Sequence, residues 1–185
     1  MPAPALAEAQ GKDMILDIVT YPDPRLKEVC EPVGEVTDEI RQFAADMLET
    51  MYEAPGVGLA APQVGRNIRM LVMDPSSQKD ERNPRVLINP VLTLSGEEVV
   101  SEQEGCLSVP MNYRADVKRM SKVHLKAQDL DGNVIEEDLE EFPAIVMQHE
   151  FDHLDGILFI DKISRLRRSL YDSKVKKWLK KKTAE

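Results

Sequence analysis

The 185-residue sequence predicts an α+β fold, with small antiparallel or mixed β-sheets, a helix bearing an HExxH motif and further helices toward each terminus. Three observations point there. Apolar residues recur at helical spacing between Ile40 and Met51, strand-like runs fill Ile68 to Asp138, and a second helical stretch from Phe142 to Leu154 carries two histidines one turn apart. With 42% hydrophobic residues, a chain of this length suits one well-cored domain over 1–185.

Residues 1–12, MPAPALAEAQGK, read as a flexible arm in which no charged segment precedes an apolar core, so no secretion signal is expected. Met14 to Thr20 is expected as a short apolar strand, stopped by the prolines of Tyr21-Pro22-Asp23-Pro24. Thr37 is placed to cap the first helix, whose Ile40, Phe43, Ala44, Met47, Leu48 and Met51 form one stripe ending before Ala54-Pro55-Gly56. The runs IRMLVMD, RVLINP, VLTLS and KVHLKAQDLDGNVIEEDLE then predict antiparallel strands, with Asp131-Gly132 as a hairpin turn. In the second helix Pro143 is tolerable in the first turn and Gly156 is placed to end it. Over 162–182, Ile163, Leu166, Leu170, Val175, Trp178 and Leu179 recur at helical spacing, with lysine and arginine on the other face.

Composition narrows the function classes. The net charge of -9 is asymmetric: Asp161 to Glu185 holds ten basic and three acidic residues, leaving the body near -16 and the tail near +7. No apolar run approaches the roughly 20 residues that cross a bilayer. Gly56-Val57-Gly58 lacks the third glycine of a dinucleotide fingerprint, and no aromatic interleaving of the basic residues suggests base readout. Cys30 and Cys106 can pair only once, so free thiols or metal ligation in a reducing, cytoplasmic compartment are expected, with no membrane or sequence-specific nucleic-acid partner.

The stretch QHEFDH carries the chemistry. Residues four apart on a helix sit about 40° apart around the axis and about 6 Å along it, so His149 and His153 can reach one ion. Glu150 projects beside them, placed to touch a water rather than to ligate. Apolar residues on both sides of the motif argue for a buried helix, where imidazoles need partners. An extended HExxHxxGxxH pattern would put the third ligand at Phe159, which cannot ligate. Of the remaining donors, His124 alternates with lysines on a solvent-facing strand, and Cys30 beside proline reads as a small core residue. Cys106, framed by glycine and proline in EGCLSVP, is the expected third ligand. Ile145 and Val146, four and three positions before His149, should line an apolar pocket beside the metal. Gly56 and Gly58, lacking a Cβ, leave backbone open to close approach, and Val57, Gly58 and Gly105 are the substrate contacts that a family resemblance implies.

Three segments, GVGLAAPQVG at 56–65, EGCLSVP at 104–110 and QHEFDH at 148–153, resemble the peptide deformylase family in order and spacing, and the likeness spans nearly the whole chain. The resemblance implies removal of the formyl group from the initiator methionine of nascent bacterial polypeptides. It implies one divalent ion per chain, ordinarily Fe(II), on Cys106, His149 and His153; zinc, nickel or cobalt suit the same donors. It assigns oxyanion stabilisation to the Gln63 amide and the Leu107 N–H, and proton transfer to Glu150. Glu104 is expected to orient a ligand histidine, paired with Arg119 of Val117-Lys118-Arg119. The spacing from Pro110 to Arg114 departs from the commoner family pattern, so Arg114 is given no role. In some relatives a C-terminal helix docks on the ribosome, and the basic tail suits such a surface. A zinc peptidase and a closed structural metal site stand as rival readings, the latter disfavoured by Glu150 and Gln63.

Overall fold

The computed structural model describes residues 14–76 and 81–183, so the arm expected at 1–12 lies outside the described residues. Thr37 caps helix α1 (Asp38–Glu53), accepting a hydrogen bond from Ile40 N, and all six apolar residues of the expected stripe are buried. The middle of the chain forms one antiparallel sheet in the order β1 (Gly58–Ala60), β2 (Met70–Met73), β3 (Arg85–Glu104), β4 (Ala115–Gln128) and β5 (Val134–Glu140). Helix α2 (Glu141–Leu154) follows β5 directly, and α3 (Arg165–Lys182) closes the described chain.

Alternation along β2 explains the layering. Leu71 and Met73 join a core with Ala144, Val146, Met147 and Leu154 of α2, whereas Met70 and Val72 join a core with the α1 stripe. The strand is apolar at every position because a helix covers each face. A third cluster packs Tyr171 and Val175 of α3 against Val109, Ala115, Val117 and Phe159.

Three expectations are corrected. Met14 to Thr20 is not a strand: the segment is tied to α1 by Met14 N to Asp46 Oδ1 (2.9 Å) and Leu16 N to Thr50 Oγ1 (2.9 Å), so side chains take the place of a ladder. RVLINP and VLTLS are one strand, bent by a bulge between Ile88 and Val91 where Asn89 adopts φ 50° and Pro90 escapes the ladder. In α3, Leu166 and Leu170 are 71% and 58% exposed, because the helix docks through Tyr171 and Val175, an aromatic-anchored face that a count of aliphatics overlooks.

Candidate metal centre

Helix α2 is buried along most of its length, which brings both histidines of QHEFDH into the interior. Their rings lie 5.1 Å apart, inclined at 72°. Strand β3 ends at the buried Glu104, and the loop behind it delivers Cys106, whose Sγ stands 3.3 Å from His153 Nε2. One ligand atom from each of Cys106, His149 and His153 lies within 4.8 Å of the others. The expected exclusions hold as well: Cys30 is a core residue, and half-buried His124 pairs with Asp138 and Glu136 across the β4–β5 hairpin.

A buried carboxylate orients the first histidine. Glu104 Oε1 contacts His149 Nδ1 at 2.6 Å, leaving Nε2 for the centre, and Arg119 grips both Glu104 oxygens through Nε and a terminal nitrogen. Arg119 also donates to Asp152 at 2.6 Å, and Lys162 stands 3.4 Å beyond, so the anchor ties His149 to the position one turn further along the same side of the helix. Burial alone would raise the Glu104 pKa, but the hydrogen bonds from His149 and Arg119 prevail and bring it down to about 2. Glu104 is therefore anionic at neutral pH.

The electrostatics fit a cation. Burial pushes His149 downward, yet Cys106 and Glu104 beside it hold it well above the usual histidine range, so the space between thiol and carboxylate favours positive charge. His153 is held well below that range, by burial first and then by His149 and Arg119, which keeps the ring neutral and able to ligate. A thiolate and two imidazoles form a donor set for a divalent transition metal, and among the described residues no fourth His, Cys, Asp or Glu joins the cluster.

Beside these donors Glu150 is buried, with no hydrogen-bond partner for Oε2, and burial pushes its pKa up to about 7. Gln63, in a 3₁₀ turn after β1, is fully enclosed: Oε1 accepts from Ala60 N at 2.8 Å while Nε2 reaches Ser108 Oγ at 3.2 Å and Cys106 Sγ at 3.4 Å. These contacts fix which way the amide faces. The Leu107 N–H has no intrachain acceptor among the described residues. Gly58 opens β1 against the Glu150 carboxylate, and Val57 precedes it, exposed. Gly105 lies under Arg114, Ile145 is half-buried, and Val146 belongs to the core between sheet and helix.

Ser108 and Asp152 went unassigned in the sequence reading, although both sit inside the quoted motifs. Ser108 could have been found as the one hydroxyl beside the thiol in EGCLSVP. Asp152, three positions after His149, carried no signal because its partner Arg119 is distant in sequence.

Known proteins resemble this chain along most of its length. A model of the polypeptide deformylase family matches residues 15–169. The peptide deformylase of Acinetobacter baumannii (strain SDF) is 50% identical over 171 residues, covering 92% of this chain and 96% of that protein. That of Psychrobacter arcticus is 49% identical over 166 residues, covering 90% and 89%. Among solved structures, a peptide deformylase from Ehrlichia chaffeensis superposes with a TM-score of 0.83 at 37% identity, covering 91% of this chain and 99% of that one. One from Legionella pneumophila gives 0.82 at 37% identity, covering 92% and 99%.

Proposed function

The chain belongs to the polypeptide deformylase family, and we propose that it removes the N-formyl group from the initiator formylmethionine of nascent polypeptides, releasing formate, at the centre built on Cys106, His149 and His153. The observation that carries this reading is the three-donor cluster with a buried Glu150 beside it whose Oε2 has no hydrogen-bond partner. An open three-ligand centre with an adjacent carboxylate is the constellation of a metal-assisted hydrolase. It also disfavours a closed structural site. Phe159, where a metzincin-like pattern would need its third histidine, is a buried ring 6.3 Å from His149, which favours the thiolate ligand set.

When bound, the ion supplies Lewis-acid chemistry that lowers the pKa of water from 15.7 to about 7. Fe(II) is the ion we assign, and Zn, Ni or Co would suit the same donors. Glu150, with its raised pKa, accepts the proton of the attacking water and passes it to the departing amine, which needs protonation to leave. Gln63 Nε2, already oriented, and the Leu107 N–H donate to the oxyanion that develops on the formyl oxygen as the carbon is attacked, each typically worth about 3 kcal/mol. Val57, Gly58 and Gly105 contact the peptide backbone, Gly58 on the edge strand β1 and Val57 just before it, while Ile145 and Val146 receive the methionine side chain.

The single domain over 1–185 and the bacterial cytoplasm as its place belong to the same proposal; no described helix is long and apolar enough to cross a membrane. So does ribosome docking, supported by exposed Lys174, Lys177 and Lys181 on α3. Because Tyr171 and Val175 are core residues, docking is tested by neutralising those lysines rather than by removing the helix. For the reaction itself, formyl-Met-Ala should release formate while internal peptide bonds survive; cleavage of internal bonds without formate release would establish the peptidase instead.

A further inference from the structure

Gly56 and Gly58 look equivalent in the sequence, two bare positions at the edge of the sheet, but their surroundings differ. A Cβ at Gly56 would meet the Leu107 Cδ1 methyl at 3.0 Å, the tip of a side chain that can turn aside. At Gly58 it would lie 2.5 Å from Glu150 Oε1, 2.7 Å from Cδ and 2.7 Å from Cγ. Favourable carbon contacts begin at about 3.5 Å. Because Cγ is among the clashing atoms, swinging the carboxylate end away does not relieve the overlap, and the whole side chain must leave its rotamer.

Neither backbone has room to yield. Gly58 pairs with Met73 in the sheet, and Leu59 and Ala60 after it are fully buried. Glu150 stands between the ligands on α2, whose Val146 and Met147 are core residues. Nor does the backbone itself call for glycine: φ at Gly58 is not positive, unlike Gly65, Gly96, Gly132 and Gly156. The requirement for glycine is therefore one of space.

Resting on the reading of Glu150 given above, we propose that the missing side chain of Gly58 forms the seat of the Glu150 carboxylate, making Gly58 a positioning residue for proton transfer in addition to any contact with substrate.

The test is a cycle of Gly58→Ala, Glu150→Ala and the double variant, read by thermal midpoint, metal content after anaerobic loading, and formate release. The seat predicts that Gly58→Ala keeps stoichiometric metal, lowers the midpoint, and cuts kcat by about a hundredfold with KM little changed, as expected when a reacting group is misplaced by about 1 Å. In the Glu150→Ala background the same substitution should leave midpoint and residual kcat nearly unmoved, since the clashing atoms are gone. Should Gly58→Ala fail to fold, recovery of the fold in the double variant supports the seat, and its continued failure overturns it. Equal loss of midpoint in both backgrounds, or a raised KM at unchanged kcat, would show that Gly58 serves only the strand or the substrate. If wild type released no formate, or Glu150→Ala kept the full rate, the functional reading would fail, while the midpoint cycle would still judge the seat.

Discussion

Replacing Glu104 with glutamine tests the anchor of the metal centre with little change of volume. Its amide oxygen can still accept from His149 Nδ1, but the amide nitrogen then meets donors of Arg119, and the buried guanidinium keeps only Asp152 as a carboxylate partner. The Glu104 pKa of about 2, against 4.5 for a free glutamate, corresponds to about 3 kcal/mol of stability at neutral pH. Breaking a buried pair by removing one partner costs a similar amount, about 3–5 kcal/mol. A folded-state pKa below the unfolded one means that this contribution is present above pH 4.5 and is lost as pH falls toward 2. Urea unfolding of the metal-free proteins should therefore show Glu104→Gln less stable by about 3 kcal/mol at pH 7 and by under half of that at pH 3. Chelator competition should show metal affinity weakened about 10–100-fold. A stability gap that does not change between pH 7 and pH 3, together with unaltered metal affinity, would refute the role given to this anchor.

Glu150→Gln should retain the metal but lose formate release by at least about a hundredfold. It should also stabilise the metal-free fold at pH 8 and not at pH 4: the Glu150 pKa is raised to about 7, so its penalty appears only as pH rises past 4.5, a sign that paired unfolding curves read directly. In wild type, kcat/KM should fall on the acid side as this base is protonated, a limb that Glu150→Gln should lack. Gln63→Ala should lower kcat about 10²–10³-fold, measured against metal content to separate the oxyanion donor from the hydrogen bond to Cys106. Tyr171→Phe removes the hydroxyl that donates to Pro110 O at 3.2 Å and should cost about 1 kcal/mol in unfolding free energy with kcat unchanged.

How much could be read from the sequence depended on whether the signal was local. The α1 stripe, the Asp131-Gly132 turn and the two histidines on α2 were legible because helical and strand periods and turn chemistry act within a few residues. Cys106 was found by elimination and by its glycine and proline neighbours, and it lies where expected. The Tyr171 face of α3 was not legible, because nothing within the helix distinguishes the leucines that stay exposed from the tyrosine that docks on Val109 and Phe159. The same limit hid Asp152 and the closeness of Gly58 to Glu150: each depends on a contact between segments that only the folded sheet and helix bring together. Met14 to Thr20 misled because an apolar extended segment reads as a strand even where its donors are taken by Asp46 and Thr50.

The central claim is that one divalent ion is held by a thiolate and two imidazoles with a position left for solvent. X-ray absorption at the metal edge on anaerobically purified protein tests it most directly. One ion per chain bound to one sulfur and two imidazole nitrogens, the sulfur signal vanishing in Cys106→Ser, is the predicted result. A first shell without sulfur in the wild-type protein, or with a fourth protein donor closing the site, would contradict it.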